Sequence, residues 1–248
     1  MIIRRLRNGA LLSRILDKFV IRQPAHWTQI LAQFDFRSGL GDSAWLLYGI
    51  ARSIKPAIAV EIGSARGKSA CFVGMALKEN GSGRLYAVDP HTATEWNDSK
   101  SVETYDIMRD HLEELALTDV VTIVRKRSVE LPDIVPAPID LLFIDGDHSY
   151  EGVKADWATC EPRMSPFGLV VFHDTMWDRK PNDKWYRPDM GVPRFVEELR
   201  NQGYPVITIE HDYGVSLVQP VRGGNSLMSN TGRPAIVAAS GVAAIWMK

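Results

Sequence analysis

Ala59-Val60-Glu61-Ile62-Gly63-Ser64-Ala65-Arg66-Gly67-Lys68-Ser69 is the stretch that decides the architecture. It reads as a buried strand, a glycine turn and the opening of a helix, with an acidic residue near the strand's end. Working outward, Leu85-Tyr86-Ala87-Val88 is a second strand that ends on Asp89. The two carboxylates are therefore separated by one strand–helix–strand unit. Glycines let a backbone approach a ligand closely, and a carboxylate after the second strand can accept from the two hydroxyls of a ribose.

Further along the chain the pattern repeats. Val120-Val121-Thr122-Ile123-Val124 is a third strand. Ile139-Asp140-Leu141-Leu142-Phe143-Ile144 is a fourth, ending on Asp145, and Leu169-Val170-Val171-Phe172 a fifth, ending on His173-Asp174. Helices are expected near 67–79 and 101–116 and over a segment carrying Tyr150, Val153 and Trp157. Near-continuous apolar strands suit a parallel sheet covered on both faces, and right-handed crossovers wind it in both directions. Residues after Pro193 form a helix that Gly203 closes. Tyr204–Ile209 and Val215–Val218 form a terminal hairpin.

The glycine spacing narrows the ligand. A dinucleotide fingerprint needs G-x-G-x-x-G, whereas position 65 is Ala and the glycines at 63 and 67 stand four apart. A phosphate loop needs G-x-x-x-x-G-K-[ST], and Gly63 lies one residue too close to Gly67-Lys68-Ser69 for that. The remaining pattern, E-x-G-x-x-x-G-x-S, resembles motif I of class I S-adenosylmethionine-dependent methyltransferases. Carboxylates such as Glu61 and Asp89 suit a cationic sulfonium and repel a polyphosphate. The plain alternative is a βα turn in another α/β protein.

A second constellation is Asp145-Gly146-Asp147-His148-Ser149-Tyr150, with His173-Asp174-Thr175 downstream of it. Taken with motif I, it resembles small-molecule O-methyltransferases that share D-G-D-H-x-Y and H-D-T blocks. Their relatives include catechol-type and macrolide-sugar O-methyltransferases and cephalosporin-hydroxylase-like proteins. The resemblance covers roughly residues 43–218. It implies an α/β fold, a Rossmann-like doubly wound sheet of about seven strands, mostly parallel with the last antiparallel; the N-terminal helical extension lies outside the resemblance. It also implies an S-adenosylmethionine site in which Glu61, Gly63, Ser64, Gly67 and Ser69 line the methionine side, Asp89 binds the ribose, Ser128 lies near the adenine and Asp145 borders the donor.

Asp145 and Asp174 should end neighbouring strands, and two close carboxylates repel unless a cation or proton sits between them. A hard divalent cation, most simply Mg²⁺, fits oxygen ligands. The family's second metal pair falls on Asp174-Thr175 in catechol-type enzymes and on His173-Asp174 in some sugar-modifying relatives. The expected metal set is thus Asp145, His173 and Asp174, although His173 favours a softer metal. The alternative is that Asp147 and Asp174 cap the helix or loop next to them. His148 occupies the position of the family's general base, and an imidazole can take a proton from a hydroxyl near neutral pH. Its alternative is a structural role in orienting Asp145.

The length suits one domain with additions: a helical extension over 1–55, the methyltransferase-like domain over 56–218 and a tail of unassigned structure over 219–248. With Lys+Arg 29 against Asp+Glu 30, the chain is not expected to bind nucleic acid. Cys71 and Cys160 are expected as buried helical residues rather than a disulfide. With no 20-residue apolar run and no leader pattern, a cytoplasmic location is the expectation. Arg4, Arg5, Arg7, Arg14, Lys18 and Arg22 flank an apolar stripe. That segment suits packing on the domain or a second subunit, or contact with an anionic membrane surface. Trp177, Trp185 and Tyr186 in the loop near 175–191 suggest a lid or acceptor wall. The leading function is O-methylation of a hydroxyl on a small molecule or sugar. The alternatives are a cephalosporin-hydroxylase-like metal-dependent protein, a non-catalytic adenosyl-ligand-binding module and a nicotinamide-dependent oxidoreductase.

Overall fold

The computed structural model describes residues 30–92, 104–179, 182, 186, 189–211 and 213–220. The basic N-terminal stripe, Trp185 and nearly all of the tail lie outside these residues. Within them run α1 (Ser43–Ile54), β1 (Ile58–Ile62), α2 (Lys68–Asn80), β2 (Arg84–Val88), α3 (Thr104–Glu114), β3 (Val121–Val124), β4 (Ile139–Ile144), α4 (Tyr150–Cys160), β5 (Met164–His173), α5 (Val192–Asn201), β6 (Val206–Ile209) and β7 (Val215–Val218). Short 3₁₀ turns include Ser128–Asp133 and Trp177–Arg179.

The strands form one seven-stranded sheet in the order β3-β2-β1-β4-β5-β7-β6. β1 to β5 pair in parallel, and β7 runs antiparallel between β5 and β6. The chain winds outward from β1 to β3 and then returns to β4 on β1's other side. The crevice at the carboxyl ends of β1 and β4 is the topological switch point, where open α/β sheets take their ligands.

Strand alternation explains the two-sided core. Ala59, Leu85, Ala87, Leu141, Phe143 and Val171 face one cluster with α1, α2 and α3 residues such as Leu47, Met75 and Met108. Their neighbours Val60, Val88, Leu142, Ile144, Val170 and Phe172 face the other, with Val153, Trp157, Phe195 and Leu199 of α4 and α5. Trp157 stacks on Phe172 with ring centroids 5.8 Å apart and meets Phe195 and Tyr204 edge-on. Truncating the fully buried Phe172 would cost about 3–5 kcal/mol. Cys71 and Cys160 are free and buried in α2 and α4.

Two local expectations need correction. The extension is not helical throughout: residues 32–42 form turns and irregular backbone before α1. Arg37 and Gly41 take positive φ there, which an α-helix cannot accommodate. β5 starts five residues before Leu169, at Met164, as Ile139 pairs with Met164 before a register shift. No helix among the described residues is long and apolar enough to cross a membrane.

Candidate active site at the carboxyl edge of the sheet

The turn after β1 is built for close approach. Gly63 has φ +89°, and a Cβ there would run into the backbone carbonyl of Asp145. Its N–H donates to Val88 O at 2.9 Å, while Asp145 N–H donates to Ile62 O at 2.9 Å. The ends of β1, β2 and β4 are thereby knitted together at one glycine. Gly67 caps α2 with φ +83°, and a Cβ there would meet Met108 Cγ at 2.7 Å.

Glu61 points beneath this turn and is buried. Ser69 Oγ donates to its Oε1, and Oε2 has no partner among the described residues. Burial pushes the Glu61 carboxyl up to about 8, against the pull of the Ser69 and Ser64 hydroxyls. Asp89 accepts from Ala65 N–H at 2.9 Å and His91 N–H at 2.6 Å, so it also pins the glycine turn. Outside support comes from a segment that carries no site signal in its sequence. The largely buried Arg66 guanidinium reaches Asp35 at 3.2 Å. His111 Nδ1 lies 2.9 Å from Arg66 O, its ring edge-on to Phe34 and Phe36.

Across the crevice, Ile144 pairs with Phe172, so the next residues of β4 and β5 emerge side by side. Asp145, His148, His173 and Asp174 meet there. His148 Nε2 is 3.3 Å from Asp145 Oδ1 and 2.9 Å from Asp174 Oδ2. His173 Nδ1 is 3.2 Å from Asp145 Oδ1 and 3.1 Å from Asp174 Oδ1. Asp174 takes φ +60°, an uncommon value outside glycine that persists where surroundings enforce it.

Two carboxylates and two imidazoles neutralise each other. Burial alone would depress His148, but hydrogen bonds to Asp145 and Asp174 and their charges outweigh it and lift His148 to about 10. His173 is likewise held well above the ordinary histidine value, by the charges of Asp174 and Asp145 over its burial cost. Asp174 moves the opposite way: burial raises it, yet the two histidines hold its carboxyl well below the usual carboxylate range. His148 therefore keeps a proton at neutral pH in this arrangement. One ligand atom each from Asp145, His148 and Asp174 lie within 4.8 Å of one another, a spacing that can hold a metal ion. That set adds His148 to the expected Asp145 and Asp174, and His173 Nδ1 also stands within 3.2 Å of both carboxylates.

The remaining candidates divide. Asp147 Oδ1 accepts from Ser149 N–H at 2.9 Å, and Ser149 Oγ caps α4 through Gly152 N–H at 3.0 Å. Asp147 is thus a turn residue, while Asp174 belongs to the cluster. The Thr175 hydroxyl accepts from Ser216 Oγ at 3.0 Å and ties β5 to β7. Ser128 opens the 3₁₀ turn after β3 and faces Asp156 of α4. Trp177 stacks on Tyr213, centroids 4.4 Å apart, with its ring 6.3 Å from His148. Gly191, which no motif singles out, also belongs to the site: its N–H donates to His148 O at 2.8 Å, fixing the D-G-D-H loop against α5.

Known proteins resemble this chain in sequence and fold. Residues 60–175 match the family model described as a methyltransferase domain. Over 140 residues the chain is 32% identical to the uncharacterized protein y4gI of Sinorhizobium fredii (strain NBRC 101917 / NGR234), covering 54% of this chain and 15% of that protein. The chain thus spans about 15% of that relative's length. The O-methyltransferase TomG from Streptomyces achromogenes, solved with SAM, superimposes with a TM-score of 0.56 at 21% identity, covering 72% of this chain and 79% of TomG. Cofactor-bound Rv0187 from MTB gives 0.62 at 16% identity, over 84% and 95% of the two chains. An O-methyltransferase from Bacillus cereus, in complex with SAH, gives 0.58 at 16% identity, over 84% and 97%. The fold is that of these Rossmann-like methyltransferases.

Proposed function

We propose, for a chain that carries a methyltransferase domain across residues 60–175, that it transfers the methyl group of S-adenosylmethionine to a hydroxyl of a small molecule or sugar. One observation carries the reading: the Gly63 turn abuts Asp145, so the expected donor site and the Asp145–His148–Asp174 cluster share one crevice. The donor chemistry also fits the residues. Gly63 and Gly67 leave backbone room, Glu61 holds an unpartnered buried oxygen, and Asp89 stands at the end of β2 for a ribose. Bound there, S-adenosylmethionine supplies an electrophilic methyl on a sulfonium centre.

The chain's own residues then have separable roles. Glu61, Gly63, Ser64, Gly67 and Ser69 shape the methionine side, Asp89 fixes the ribose, and Ser128 borders the adenine. Asp145 and Asp174 would hold a divalent cation, whose charge would favour ionisation of an acceptor hydroxyl. His148, set against both carboxylates, would exchange a proton with the acceptor hydroxyl, and a cation answering their charge would favour its neutral, accepting form. His148 serves as base or as ligand, and not as both at once. His173, buried between the carboxylates, orients them.

Calorimetry against S-adenosylhomocysteine and NAD separates this reading from a nicotinamide enzyme. A methyl-transfer screen scored by the mass gain of a methyl group, run with and without chelator, then tests transfer and metal need separately. Binding without transfer to any hydroxyl acceptor would favour an adenosyl-binding module. Failure to bind S-adenosylhomocysteine would overturn the proposal.

A further inference from the structure

The β5-β7-β6 half of the sheet has two unlike faces. On one, Val170, Phe172, Val206 and Val218 lie with Trp157, Phe195 and Tyr204. On the other, Ile207 pairs with Leu217 and Leu217 with Val171, which makes one apolar row across three strands. Phe167, Leu169, Ile209 and Val215 share that face by strand alternation. The inner end of the row joins the core under α1, α2 and α3, whereas Ile207 is 68% and Phe167 90% exposed.

An antiparallel edge that meets water carries its polar residues on the wet face. Here they lie on the covered one, where Thr208 bonds to Ser216 and Ser216 to Thr175. Positions 167, 169, 171, 207, 209, 215 and 217 of the open face are all apolar. A flat apolar edge of this kind associates with other chains unless something covers it. The pattern is that of a face with a cover.

We infer that this face is the docking site of the chain's own segment 235–247. That segment is apolar but for Ser240 and Gly241 and carries no charged residue. A run that is apolar all round needs burial. The chain also leaves the sheet at this face. Gln219 N–H donates to Pro205 O at 3.2 Å, and the register that sets Val218 opposite Val170 brings Pro220 level with Gly168, next to Phe167. Residues 221–234 can span up to about 45–50 Å, while three strands are only about 10 Å across, so reach is ample.

The N-terminal stripe fits less well. Arg4, Arg5, Arg7, Arg14, Lys18 and Arg22 flank it, and a row of Leu, Ile and Phe offers them no counter-charge. The N-terminal chain also enters the described residues at the other half of the fold, where Phe34 and Phe36 pack on His111 of α3.

The test places p-benzoylphenylalanine at position 207 of the full chain and irradiates an equal mixture of isotope-labelled and unlabelled protein. Cross-links from 207 to 235–247 within one chain are the expected product. Cross-links to 1–29, cross-links that join labelled to unlabelled chains, or none to 235–247 would overturn the inference. Hydrogen exchange gives a second reading. Amides of 235–247 in the full chain should exchange at least about 10-fold more slowly than in a free peptide of the same sequence. Phe167→Asp with Ile207→Asp should abolish that protection and leave β1 and β4 as protected as before, since both positions are exposed. Absent protection in the wild type, or protection that survives the double variant, would overturn the inference as well. Neither measurement involves the donor site, so the outcome is independent of the methyl-transfer reading.

Discussion

His148 Nε2 stands 2.9 Å from Asp174 Oδ2, bridging the end of β5 to the loop after β4. The contact joins the two motifs that the sequence sets about 26 residues apart, and it decides the protonation of the site. His148→Ala should lower methyl transfer by about 10²–10⁴-fold, the range for a positioned acid–base group. S-adenosylhomocysteine affinity should stay within about threefold, since the proposal gives the imidazole a part in proton transfer and none in holding the donor. Normal turnover in the variant would assign His148 a structural role only.

The same contact predicts competition between a proton and a cation. His148 is held at about 10 by the carboxylates a metal would use. Binding a divalent cation must therefore expel a proton below that pH, and affinity should rise by up to about tenfold per pH unit from 6.5 to 8.5. Titration with Mn²⁺ in buffers of different ionisation enthalpy measures both the affinity and the proton released. Asp174→Asn should weaken binding at every pH. A pH-independent affinity would mean that any cation sits elsewhere.

Asp89 holds the glycine turn through Ala65 and His91 N–H groups. Asp89→Ala should cost S-adenosylhomocysteine binding about 1.5–3 kcal/mol for each charge-assisted bond lost to the ribose. Asp89→Asn can still accept at the turn, so it should keep more of the affinity. Unchanged affinity in the alanine variant would remove Asp89 from the ribose site.

Much of this was legible in the sequence because strand ends carry their own signal. An apolar run that stops on Glu, Asp or His marks the sheet edge, and Ile139–Ile144 is the observed span of β4. The neighbourhood of Asp145 and Asp174 followed from the parallel pairing of two such runs. Long-range loop contacts were not legible. Nothing local in Phe34-Asp35-Phe36 announces that it braces Arg66 and His111. Gly191 touches the His148 loop only through tertiary packing. Asp156 reads from the sequence as one more polar residue of an amphipathic helix, and its burial emerges only once α4 lies on the sheet. His148 joins Asp145 and Asp174 because the loop after Asp145 turns its imidazole back across the strand ends, beside His173.

Trp177 and Tyr213 stack beside His148, and under the proposed function this flat aromatic pair would wall the acceptor. Trp177→Ala should raise the KM for the acceptor by about tenfold and leave S-adenosylhomocysteine binding intact, because aromatic stacking of a ring contributes on the order of 1 kcal/mol. The melting temperature should fall little, since Trp177 is only half-buried. A large loss of stability with unaltered KM would assign the pair to the core instead.

Glu61 gives the fold a pH dependence whose sign is fixed. Its carboxyl titrates near 8 in the folded chain, through burial, and near 4.5 when exposed. Between those values the folded state binds the proton that the unfolded state has lost. The contribution to stability is therefore full below about pH 4.5 and declines as pH rises to about 8, by on the order of 5 kcal/mol at most. Glu61→Gln keeps the shape and removes the titration, so denaturant unfolding should show the variant gaining on the wild type from pH 5 to pH 8. Carboxylates remote from Glu61 contribute equally to both proteins and cancel in the difference. Parallel stability curves across that window would mean that Glu61 is ionised in the fold, its charge answered by a neighbour or by water.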